Sequence, residues 1–108
     1  MAVTRGKHGA IAGSGDAIVD IAGIPVAVVD TVGAGDSFGA ALVAALIDEG
    51  AFGLDATWLP DEPVLARAVS YAVAASAITC TRIGATPPSR AEIAFQLRSG
   101  SDARSPAV

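Results

Sequence analysis

The sequence has little cysteine, few aromatic side chains and little charge, and each shortage excludes something. Cys80 is the single cysteine, so no disulfide can form within the chain, and a lone thiol suits a reducing compartment. A net charge of -4 with a pI near 4.6 leaves no basic stripe for a phosphate backbone, which argues against a nucleic-acid surface. Any bound anion would have to be small and held locally. The amino terminus lacks the basic-then-apolar pattern of a signal peptide. The longest uncharged stretch, residues 68–81, is shorter than the ~20 residues that span a bilayer, and is rich in Ala, Ser and Thr. Together these absences predict a cytoplasmic protein without a membrane partner.

What remains is apolar and rich in alanine and glycine. The 108 residues are 52% hydrophobic, which describes one small globular domain and not a disordered segment. Short β-prone runs at residues 1–4, 10–12, 17–21 and 25–29 predict strands, with turns at 6–9 and 13–16. Pro25 stands at the first position of its run, where a strand tolerates it. Phe38, Leu42, Ala45 and Leu46 then recur on one helical face and predict a helix over 37–49, ended by Gly50. A second helix opens at Asp61-Glu62-Pro63, whose acids suit a helix start, and runs through Ile78 towards Thr81. Ser89 caps a short last helix through Ile93 and Leu97. Trp58, in the loop between the first two helices, reads as a lid over the core. Residues 1–98 form one unit, and 99–108 read as a flexible tail. The fold class is α/β.

The chemistry concentrates in Val29-Asp30-Thr31-Val32-Gly33-Ala34-Gly35-Asp36-Ser37-Phe38. A strand, a glycine-rich bend and a helix start make a junction whose free N–H groups and dipole suit an anion. Gly33 and Gly35 let the backbone approach that anion without a Cβ in the way. Carboxylates would repel a resident anion, but they fit one that forms in a reaction. A phosphoryl group in transit needs donors at its equatorial oxygens, and the attacking hydroxyl needs a base. Asp36 can be that base, with a plain helix cap as its alternative. Asp30 can face a cation or serve structure alone. The spacing Gly33, Gly35, Gly39 also touches the dinucleotide pattern, but no acidic residue closes a second strand about twenty residues on. Nor does a Lys-Ser/Thr pair follow, so this is no Walker loop.

Residues 30–36 resemble the D-T-x-G-A-G-D signature of ribokinase-like (PfkB-type) carbohydrate kinases, matching at every position. Val3-Thr4-Arg5-Gly6-Lys7-His8-Gly9 resembles the family's T-x-G-x-x-G strand and turn, and Thr81-Arg82-Ile83-Gly84-Ala85 its later T-x-x-G-A segment. The resemblance covers nearly the whole chain but only about the carboxy-terminal third of a family member. It implies the carboxy-terminal part of a ribokinase-like αβα sandwich in which ATP with Mg2+ phosphorylates a sugar hydroxyl. It further implies Asp36 as catalytic base and an anion hole from the Gly33, Ala34, Gly35 and Asp36 amides. Thr4 and Gly6 would lie along the phosphates, and Val73 and Ala77 would form an adenine wall. A monovalent cation such as K+ would take Asp30 and the carbonyls of Val32, Thr79 and Gly84. Pro88 precedes Ser89 where a hydroxyl ligand is usual, and Val73 is apolar where many members are polar; both are departures.

In such kinases the sugar pocket precedes everything in this sequence, so the sugar is nearly invisible, with a lean to fructokinase-like members from residues 26–45. The chain then reads as the nucleotide half of a sugar kinase, or as a binding relic without turnover. An in-frame upstream sugar-site strand favours the first and a stop codon the second. A sheet edge exposed at Met1 predicts that this segment alone is marginally folded or self-associating, and that it lacks measurable sugar kinase activity.

Overall fold

Small apolar residues alternating with exposed ones make residues 10–21 a hairpin with one dry face. The computed structural model describes residues 1–50, 59–84 and 87–104. β2 (Ala10–Ser14) and β3 (Ala17–Ile21) pair antiparallel with Ala12 opposite Val19 and Ser14 opposite Ala17. Ala10, Ala12 and Val19 face inward and are buried, while Ile11, Ile18 and Asp20 are exposed. The two-residue loop Gly15-Asp16 closes the hairpin with Gly15 at φ +58°, the left-handed first position that such tight loops favour. β1 (Ala2–Thr4) adds antiparallel to β2, giving the order β1-β2-β3. Arg5 leaves β1 and pairs with Asp20 of β3 at 2.5 Å.

Of the three helices, the second lies on this sheet, and the first and third pack against the second. α1 (Ala34–Asp48) buries Phe38 and Ala41. α2 (Glu62–Cys80) is capped by Asp61, whose side chain accepts the Val64 amide at 3.0 Å, a bond that satisfies one of the open donors of a helix start. Ala68, Val69, Ala72, Ala74 and Ala75 are wholly or almost wholly buried, because α2 packs against the sheet, α1 and α3 together and only small side chains leave room for all of them. By length and composition α2 could cross a membrane, yet here much of it forms the core. α3 (Arg90–Arg104) starts with a capping box: Ser89 Oγ accepts the Glu92 amide at 3.2 Å, and Glu92 accepts the Ser89 amide at 3.0 Å. Ile93 is buried beneath it.

Three expectations are corrected. Residues 25–29 join no ladder among the described residues: Val28 and Val29 are exposed, and the Val29 and Asp30 amides donate to the Cys80 carbonyl at 2.7 and 3.1 Å. A β-branched run is fit for a sheet but forms a strand only beside another one. α1 begins at Ala34, ahead of the apolar pattern, because Gly33 turns the chain into it. α3 carries the helix to Arg104, beyond the expected limit at Arg98. Trp58 and Ala85 lie outside the described residues, as do 105–108.

Candidate nucleotide and phosphoryl site

The junction before α1 is organised by one carboxylate. Asp30 Oδ1 accepts the Val32 amide at 2.9 Å, a local turn typical of aspartate, and Oδ2 accepts the Gly84 amide at 3.0 Å from across the fold. The Val32 amide first, then that of Gly84, holds the Asp30 carboxyl below its usual value of 3.8, because donors aimed at a carboxylate favour its charged form. Gly33 follows at φ +80°, a conformation that an L side chain rarely takes. The Ser37 amide donates to the Gly33 carbonyl at 2.9 Å and the helix is under way.

This start narrows the expected anion hole. The Ala34 amide donates to the Thr31 carbonyl at 3.2 Å, so it belongs to the turn. The Gly35 and Asp36 amides bond to no other group among the described residues and remain donors. Asp36 stands in the first turn, exposed, its carboxylate without a partner among the described residues. It is not a cap: the capping position is Gly33, with no side-chain bond.

Beside this start lies a cavity of about 570 Å³ that gathers residues from four segments. Thr4, Gly6 and Lys7 come from the strand and turn, and Ala34, Gly35 and Phe38 from α1. Val73, Ser76, Ala77 and Cys80 come from α2, spaced to share one helical stripe. Gly9 and Gly23 complete it where two backbones cross. A Cβ on Gly9 would strike the Ile21 carbonyl oxygen, and one on Gly23 would strike that of Lys7.

All four expected nucleotide residues, Thr4, Gly6, Val73 and Ala77, therefore line one cavity together with Ala34 and Gly35. Gly33 and Asp36 flank that pair in the chain. Of the expected cation set, Asp30 draws the backbones of Val32 and Gly84 together. The Thr79 carbonyl accepts the Arg82 amide at 3.1 Å. Lys7 is exposed at the cavity and is its only charged lining residue among those described. Cys80 is half-buried and lines the cavity. Arg82 pairs with Glu92. Gly23 and Ser76 were missed. The Gly-Ile-Pro run at 23–25 was a usable signal for the first; for Ser76 the signal was its place beside Val73 and Ala77 on the α2 stripe.

The pfkB family carbohydrate kinase profile matches residues 1–92. The chain belongs to this family. Over 82 residues it is 39% identical to fructokinase-2 of Solanum lycopersicum, covering 74% of this chain and 23% of that protein. With fructokinase of Solanum tuberosum the identity is 38% over the same length, covering 74% and 24%. An E. coli protein described as a ribokinase II, solved with ATP and Mg2+, superimposes with a TM-score of 0.71 at 32% identity, over 91% of this chain and 28% of its own. Ribokinase of Thermotoga maritima gives 0.66 at 29%, over 86% and 28%. The fold is a fragment of the ribokinase-like fold, and the chain spans about a quarter of the length of these relatives.

Chemically, the arrangement offers a helix dipole beside two amides and a carboxylate, all three groups without partners among the described residues. An apolar stripe of α2 lies along the same cavity.

Proposed function

We propose that the chain supplies the nucleotide-binding and phosphoryl-transfer part of an ATP-dependent sugar kinase. The observation that carries this reading is the single cavity shared by Thr4 and Gly6, Ala34 and Gly35, and Val73 and Ala77, with Asp36 next in the chain. The phosphates run along the turn at Thr4 and Gly6, where Lys7 supplies positive charge. The base of the nucleotide lies on the α2 stripe. The Gly35 and Asp36 amides face the charge that develops on the phosphoryl group in flight, and the dipole of α1 adds to them. Asp36 accepts the proton of the attacking sugar hydroxyl. Fructose is the first acceptor to test, given the fructokinase relatives, and ribose the second. Such an enzyme would work in the cytoplasm.

Mg2+ would accompany the ATP phosphates. The donors near Asp30 suit a monovalent cation: an ionised carboxylate with lone pairs to spare and the carbonyls of Val32, Thr79 and Gly84. Such an ion would add positive charge behind the anion hole.

The test is ADP release with saturating MgATP over fructose, other hexoses and ribose, comparing the parent with Asp36→Asn in an intact kinase that carries this segment. Turnover should fall by about 10²–10⁴, the usual loss for a general base, while MgATP affinity stays nearly unchanged. A variant that keeps close to parental turnover contradicts the assignment of Asp36.

A further inference from the structure

Among the described residues the buried polar side chains are Ser37 and Thr79, and they meet each other. Thr79 Oγ1 lies 2.7 Å from Ser37 Oγ and 3.0 Å from the Ala75 carbonyl. A carbonyl only accepts and Thr79 has one proton, so Thr79 donates to Ala75 and takes the proton of Ser37. Both hydroxyls are thereby satisfied in an otherwise apolar core.

The pair joins two places that matter to the site. Ser37 follows Asp36 directly, and its amide makes the bond to Gly33 that opens α1. Thr79 stands in the last turn of α2, next to Cys80, whose carbonyl takes the Val29 and Asp30 amides. The end of α2 therefore holds the chain on both sides of the glycine bend. No side-chain cap performs this task, since Gly33 has none.

We propose that the Ser37–Thr79 hydroxyl pair is a positioning device, which fixes the first turn of α1 against α2 and so aims the Gly35 and Asp36 amides and the Asp36 carboxylate. Its catalytic consequence rests on the sugar-kinase reading; its effect on the helix start does not. A second property makes it separable from plain stability. Removing one hydroxyl orphans the other in the core, whereas removing both leaves an apolar pair of similar shape that is nearly neutral to stability.

The experiment compares the parent, Thr79→Val, Thr79→Ser and the double variant Ser37→Ala/Thr79→Val in the full chain. Hydrogen exchange at the amide of position 37 is followed by 1H–15N spectra, alongside melting temperature. Thr79→Val should speed that exchange by about tenfold or more, the worth of a buried hydrogen bond. Thr79→Ser should restore the parental rate. The double variant should melt near the parent yet keep the fast exchange, and it carries the test if Thr79→Val does not fold. In ADP release by an intact kinase that carries this segment, Thr79→Val and the double variant should lose about tenfold in kcat, with KM for ATP held and Thr79→Ser restored. Parental exchange in the double variant, or a Thr79→Ser as impaired as Thr79→Val, overturns the proposal. An intact parent kinase that releases no ADP defeats the sugar-kinase reading instead, and the exchange data still decide the pair.

Discussion

Gly9 and Gly35 border the same cavity from different elements and are glycine for different reasons. At Gly9 the chain sits at φ +92°, and a Cβ would collide with the Ile21 carbonyl oxygen and lie 2.6 Å from the Gly23 nitrogen. Two stretches of backbone touch there, so the absent side chain is a condition of folding. At Gly35 the backbone is helical, and an added Cβ meets nothing within 4 Å. The fold gives no reason for glycine at that position; in fact alanine is the better helix former by about 0.5–1 kcal/mol. A ligand in the cavity would supply the reason. The lesson is that a glycine's neighbours, and not its presence in a motif, show whether it serves structure or binding.

Substitution at both positions breaks or sharpens this contrast. Gly9→Ala should produce the larger effect, a loss of about 3 kcal/mol or more from the clash and the strained φ together, read as a collapse of the thermal melt. Gly35→Val should leave the melt almost unmoved. Valine is at worst a slightly better helix residue than glycine, but its branches would occupy the path of an anion. MgATP affinity should drop by about tenfold or more, the value of a hydrogen bond to a charged group. Unfolding of Gly35→Val, or a normal melt for Gly9→Ala, would erase the distinction.

A smaller effect separates the carboxylates in the same way. Asp30 holds structure through two backbone amides, and its folded pKa lies below the usual 3.8. Its contribution to stability is therefore present above the unfolded pKa near 3.8 and is lost as the pH falls through the lower folded value. Asp30→Asn should melt earlier at neutral pH and flatten the loss of stability below pH ~4, where carboxylates of the unfolded chain take up protons. Equal slopes for parent and variant in acid melts would show that these amides do not hold the charge.

Local signals carried most of the fold. The acids and proline at 61–63 located the start of α2, and Ser89 set that of α3 to the residue. β3 fell on residues 17–21, where the alternation is clear. Long-range matters were not legible in this way. Residues 25–29 have a strand's composition, but pairing depends on a neighbour that local pattern does not name. The crossing of Gly9 with Gly23 depends on two turns meeting in space. For the candidate site, the motif indicated Gly35 and Asp36 and the family resemblance the residues of α2, and these do cluster at one cavity or beside it. It could not show that the Ala34 amide is already taken by Thr31, since that follows from the tightness of the turn at Gly33. Nor could it show that Ser37 and Thr79 touch, because a hydroxyl at each position is unremarkable until two helices bring them together.

The central claim is that the turn at Gly6, the start of α1 and the face of α2 bind one nucleotide. It is tested most directly by titrating MgATP into 15N-labelled protein and following the backbone amides. The account predicts that Gly6, Gly35 and Ala77 shift together along a single binding curve, while Gly15 in the far hairpin loop stays still. Shifts confined to other residues, or three curves with unrelated midpoints, would contradict it.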